Sequence, residues 1–97
     1  MDPTRNIKEF YKIEKTIGKG NFAVVRKAKN RATNEYVAVK VLSKKRMKEG
    51  ETIQLMGEIE IMKQIDHPNI VKMIDFFEDE AHFCIVMELM QGGELFD

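Results

Sequence analysis

Ile17-Gly18-Lys19-Gly20-Asn21-Phe22-Ala23-Val24-Val25 places two glycines one residue apart between two extended, β-prone stretches. Upstream, Tyr11 to Ile17 alternates apolar and polar, with Tyr11 and Ile13 set against Lys12 and Glu14; downstream, Ala23 to Lys29 is rich in valine. Two strands joined through Gly18-Lys19-Gly20-Asn21 predict an antiparallel hairpin with a mobile tip. Glycines in that tip let backbone N–H groups approach a phosphate chain, because no Cβ holds the ligand away. An ordinary flexible turn has the same composition. A dinucleotide-binding fold is disfavoured, since its glycines open a helix, whereas valine-rich Ala23 to Lys29 reads as a strand.

Working outward, a polar turn over Asn30 to Glu35 leads to a third strand, Tyr36 to Leu42, whose VAVKVL run predicts burial on both faces. The basic stretch Ser43 to Gly50 reads as a solvated connector without assigned function. From about Glu51 to Asp66 the pattern is helical, and His67-Pro68-Asn69 ends it, because proline keeps the preceding residue out of helical backbone angles. Met73 to Glu78 and Phe83 to Met87 form a second hairpin around Asp79-Glu80-Ala81, before a glycine-containing joint at Gln91-Gly92-Gly93. After a polar lead-in over residues 1–9, the order is strand, strand, strand, helix, strand, strand. This predicts an α+β fold, a five-stranded antiparallel sheet with one helix.

The 97 residues suit one small domain with one core. Sixteen Lys plus Arg balance sixteen Asp plus Glu, so no net field draws the molecule to nucleic acid or an anionic membrane. A single cysteine, Cys84, permits no internal disulfide, and Cys84, His67 and His82 fit no metal spacing, so no metal site is expected. No apolar run approaches the roughly 20 residues of a membrane span, and the opening MDPTRNIKEF lacks a signal-peptide core. The expected location is cytoplasmic.

Two charges sit where apolar residues belong. On the third strand, Tyr36, Ala38 and Lys40 share one face and Val37, Val39 and Val41 the other. On the helix, with Glu58 as origin, Ile65, Met62, Leu55 and Ile61 all fall within about 60° of it. Glu58 is then central to the apolar face, and a carboxylate there is costly to desolvate unless a cation meets it. Lys40 is the obvious cation, and the candidate catalytic pair is Lys40 with Glu58. A lysine fixed by a carboxylate can be aimed at phosphate oxygens without sweeping through rotamers, and rotating the helix would separate the pair and switch it off. Two alternatives compete: Lys40 bends its head to water, or the helix turns Ile53 and Met56 inward and solvates Glu58. With the helix as first placed, Ile53 and Met56 face outward and offer a patch for a partner.

Adenine needs apolar walls and free backbone groups. Ile17, Val25 and Ala38 suit one wall, and the main chain from Glu88 to Met90, following Met87, suits the edge of the ring. With these motifs in order, the chain resembles the N-terminal lobe of eukaryotic protein kinases from about Phe10 to Asp97. The resemblance rests on the glycine-rich loop from Ile17 to Val25, Val37-Ala38-Val39-Lys40, Glu58, and His67-Pro68-Asn69-Ile70. It implies a cofactor-binding set of Ile17, Gly18, Lys19, Gly20, Asn21, Phe22, Ala23, Val25, Ala38, Lys40, Met87, Glu88, Met90 and Glu94. In that reading Lys40 contacts the α- and β-phosphates, Glu58 holds Lys40, and Met87 is the gatekeeper. Glu88 to Met90 form the hinge, Glu94 reaches the ribose, and Met62 and Met73 belong to a hydrophobic column linking the helix to the second lobe.

Ala23 stands where the family most often has a third glycine; with Gly92-Gly93-Glu94-Leu95-Phe96-Asp97 it makes the chain similar to the calcium/calmodulin-dependent group, notably AMP-activated and microtubule-affinity-regulating relatives. That likeness implies serine/threonine specificity. No HRD, DFG or activation loop occurs, so the catalytic base and the Mg²⁺ ligands would lie in a C-lobe outside residues 1–97. The expected function is the ATP-binding lobe of a serine/threonine kinase, inactive alone, transferring the γ-phosphoryl of Mg-ATP to protein substrates when joined to that C-lobe. No nucleic acid or membrane partner is expected, and a regulatory partner would bind the helix at Glu51 to Asp66. A pseudokinase or partner-docking platform, and a small adaptor using Ile53 and Met56, are the competing readings.

Overall fold

The computed structural model describes residues 5–20, 23–64 and 73–89, with the backbone alone at 58 and 61–64. Five strands form one antiparallel sheet: β1 (Tyr11–Lys19), β2 (Ala23–Asn30), β3 (Tyr36–Ser43), β4 (Met73–Glu78) and β5 (His82–Glu88), in the spatial order β1-β2-β3-β5-β4. One helix, α1 (Glu49–Gln64), lies between β3 and β4 in sequence. Element types and order are those expected from the sequence.

The third strand dictates the layering. Val37, Val39 and half-buried Val41 join Tyr11, Ala28, Phe77, Cys84 and Val86 in one apolar cluster on the back of the sheet. Leu42, on the opposite face of β3, joins Phe76, Phe83, Ile85 and Met87 in a second cluster on the front of the sheet, where Leu55 and Ile59 of α1 pack against them. Two-residue alternation along a strand with both faces covered produces this split, and Val39 and Val86 are wholly enclosed at its centre. Burial raises the Cys84 thiol to about 11, with the Asp79 carboxylate adding to the effect. Tyr11 is raised as well, first by burial and then by Asp75, against a lowering contribution from Arg5.

Four places differ from the sequence reading, the first being β1, which runs on to Lys19 and pairs Gly18 and Lys19 with β2, so that both leave the expected tip. The helix starts at Glu49, two residues before the expected boundary, because the Glu51 carboxylate accepts the Lys48 backbone N–H at 3.1 Å and caps the first turn despite Gly50. The basic connector is tied down: Lys44 and its neighbours form a 3-10 turn, its ammonium meets Glu78 at 2.6 Å and lies 4.7 Å from the Phe83 ring, and its N–H donates to the Ala81 carbonyl. The polar lead-in also packs. Ile7–Glu9 makes a 3-10 turn, and the Arg5 guanidinium bonds Asp75 at 2.9 Å while lying 4.8 Å from the Phe10 ring and 4.6 Å from the Phe77 ring.

Edge strand β1 carries two irregularities that alternation alone did not reveal. Three steps from Ile13 to Thr16 oppose two from Ala28 to Arg26, and two steps from Thr16 to Gly18 oppose one from Arg26 to Val25. Each is a bulge of one extra residue, which bends and twists the strand. Inside the first, the Arg26 side chain donates from Nε to the Glu14 carbonyl at 2.8 Å and from Nη2 to the same oxygen. In the β4–β5 turn, Asp79 accepts from the Ala81 and His82 backbone N–H groups at 2.8 and 2.6 Å. Burial pushes its carboxyl up, but those two bonds, with His82 and Lys44 nearby, leave it below its usual value.

Candidate functional site

The register assembles the site from separate strands. Directly opposed residues of an antiparallel pair project to the same face, and one such row crosses all five strands as Gly18, Val25, Lys40, Ile85 and Phe76. A second row, two residues along, runs Lys27, Ala38, Met87 and Met73. Both rows lie on the front, since Ile85, Met87 and Phe76 pack there with Leu55 and Ile59 of α1. Val25, Ala38, Lys40 and Met87 are therefore neighbours on one surface, with Gly18 at its margin.

Ala38 is fully enclosed and Met87 nearly so, while Lys40 is half-buried. Val25 and Ile85, which flank Lys40 across the strands, are apolar. The Lys40 ammonium thus stands between apolar neighbours, with Lys27 and Lys29 farther along the same face over the Tyr36 ring, an arrangement suited to an anionic group attached to a flat apolar one.

The glycine-containing tip closes on itself: the Gly20 N–H donates to the Ala23 carbonyl at 2.7 Å. A Cβ built at Gly20 would lie 3.8 Å from that carbonyl oxygen, an ordinary contact. Among the described residues no packing contact demands glycine at position 20. Lys19 opposes Val24, on the other face from Gly18, and half-buried Ile17 sits at the second bulge. Ala23 opposes Leu42 and packs at the edge of the front cluster.

Glu88 opposes Val37 at the end of β5 and is exposed. Asn21, Phe22, Met90, Glu94 and His67 to Ile70 lie outside the described residues, as do the side chains of Glu58 and Met62; the expected Lys40–Glu58 pairing therefore lies outside them too. Around it, Leu55 and Ile59 of α1 are buried and Ile53 is 69% exposed. Ile53 thus faces outward, whereas Met56 packs against the front cluster and does not share an outward patch with it. Sequence reading did not single out Ile85 or Phe76, the apolar remainder of the Lys40 row, because they join it only once the β3–β5 and β4–β5 registers are set.

Residues 11–97 match the family model described as protein kinase domain. A probable myosin light chain kinase of Dictyostelium discoideum is 42% identical over 91 residues, covering 94% of this chain and 26% of that protein. Calcium-dependent protein kinase 3 of Plasmodium yoelii yoelii is 43% identical over 95 residues, 97% of this chain and 17% of the relative. Serine/threonine-protein kinase SIK1 of Rattus norvegicus is 41% identical over 88 residues, 91% of this chain and 11% of the relative. The chain thus spans about a quarter or less of the length of these relatives. With its sheet, its lysine-bearing third strand and its glycine-containing hairpin, the chain belongs to the protein kinase domain family.

Proposed function

We propose that this chain is the ATP-holding lobe of a serine/threonine protein kinase, which transfers the γ-phosphoryl group of ATP to protein hydroxyls when joined to a second lobe. The carrying observation is the row that sets Lys40 between Val25 and Ile85, one row from Ala38 and Met87 and in line with Gly18. In this reading Val25 and Ala38 cover one face of adenine, with Met87 and the β5 terminus at its edge. Lys40 neutralises phosphate oxygens, and backbone N–H groups of the glycine tip close over the phosphates. Phosphoryl transfer asks the protein mainly for positioning and charge stabilisation, which these groups supply in part. Glu58 is assigned to hold Lys40, and rotation of α1 to break that hold.

Among the described residues no group of three or more His, Cys, Asp or Glu side chains is placed to hold a metal ion. Mg²⁺ would be held by ligands of the second lobe and would supply charge neutralisation of the phosphates, and the base that accepts the substrate proton is assigned to that lobe as well. The serine/threonine preference is supported by the similarity to serine/threonine-protein kinase SIK1.

Lys40→Met in the full-length protein tests the assignment. Phosphorylation of a generic basic peptide is expected to fall by at least about a hundredfold, the scale for losing one preorganised charge contact, with the melting temperature little changed. Undiminished phosphorylation would remove Lys40 from the site.

A further inference from the structure

We propose that Arg26 is a positioning residue for the glycine-containing tip, acting through the first bulge of β1. This rests on the nucleotide reading above. The row Thr16, Arg26, Val39, Val86 and Asp75 lies on the back of the sheet, opposite the row that carries Lys40. Arg26 therefore does not touch a ligand on the front. Its guanidinium reaches along the sheet to β1 and gives two N–H donors to the Glu14 carbonyl.

That carbonyl lies within the first bulge, between Ile13 and Thr16, where the regular ladder is interrupted. Among the described residues β1 is an edge strand, with no further strand outside it. A forked guanidinium supplies the lost pairing with two bonds of fixed relative direction, which a single ammonium cannot do. Four residues further on, after a second bulge, the strand delivers Gly18 to the Lys40 row. Two extra residues within one short strand give it freedom to slip or straighten, and Arg26 fixes the first of them. The position of Gly18 in the Lys40 row follows from that fixed point, and misplacement of such a group by about 1 Å can cost about a hundredfold in rate.

The test compares wild type, Arg26→Met and Arg26→Lys in the full-length kinase, with amide hydrogen exchange and with the affinities for ATP and adenosine. Methionine keeps the stem and removes the donors; lysine keeps the charge and loses the fork. In Arg26→Met, exchange over residues 14–20 should rise about tenfold while that of β3 and β5 stays unchanged. ATP binding should weaken about tenfold, while adenosine, which lacks phosphates, stays within about twofold. Arg26→Lys should fall between wild type and Arg26→Met in both measurements.

Unchanged exchange over residues 14–20 would overturn the proposal, as would equal weakening of ATP and adenosine or faster exchange throughout the sheet. Full ATP affinity in Arg26→Lys beside weakened binding in Arg26→Met would also overturn it, by showing that charge at a distance suffices. Failure of the nucleotide reading is seen separately: wild type, with Arg26 intact, would then bind no ATP, and the role of Arg26 toward a phosphate would fall with it.

Discussion

Lys40 is flanked across the strands by Val25 and Ile85, so its alkyl stem continues an apolar row and only its ammonium requires a polar partner. If Glu58 supplies it, the two residues act as a unit. Lys40→Met and Glu58→Gln should then each lower kcat/KM strongly, and the double variant should be little worse than the worse single one. Steady-state kinetics of the four proteins measures that coupling, and fully additive losses would separate the two. Cys84 gives a prediction about pH. Its thiol is raised from 9.0 to about 11 by burial, first, and by Asp79. Below the unfolded value both states keep the proton and this contribution is complete; as pH rises towards the folded value, the unfolded thiol ionises first and stability falls. Denaturant midpoints should therefore decline more steeply in wild type than in Cys84→Ala on going from pH 9.0 to about 11.

At the scale of elements, Gly57 lies exposed in the middle of α1, and a Cβ there would meet nothing within 4 Å among the described residues. Gly57→Ala should stabilise the fold by about 0.5–1 kcal/mol, the usual difference between these residues in a helix, measured as a raised denaturant midpoint. The lead-in and the connector are each pinned by one cation, in unequal settings. Asp75 keeps 11% side-chain exposure beside Arg5, whereas Glu78 keeps 36% beside Lys44. A double-mutant cycle on Arg5 and Asp75 should give a coupling of about 1 kcal/mol, and one on Lys44 and Glu78 less, because solvent screens the more exposed pair. Both contacts escaped the sequence reading, since a run such as Lys44-Lys45-Arg46 looks solvated until the β4–β5 hairpin is placed against it. The start of α1 was missed for a similar reason: Gly50 reads as a boundary unless the Glu51 cap is seen.

Across the whole molecule, the five strands, the helix and both faces of β3 were legible in the sequence, because each rests on periodicity or on a glycine, proline or polar turn. The meeting of Val25, Ala38, Lys40 and Met87 was legible in part. Alternation placed Ala38 and Lys40 on one face, but only register brought β2 and β5 beside them. The bulges were invisible, since a strict two-residue period leaves no room for an extra residue and the length of β1 alone does not reveal one. If the adenine pocket is shared with a second lobe, the 97 residues alone should bind ATP more weakly than about micromolar by calorimetry, and the full-length protein more tightly. The bulges have a consequence for solubility. An edge strand with open N–H and C=O groups invites a strand from another molecule, and irregular pairing together with outward lysines is a recognised way to refuse it. β1 carries two register breaks and exposes Lys12, Lys15 and Lys19, so the irregularity that brings Gly18 into line with Lys40 also makes this edge a poor template for aggregation.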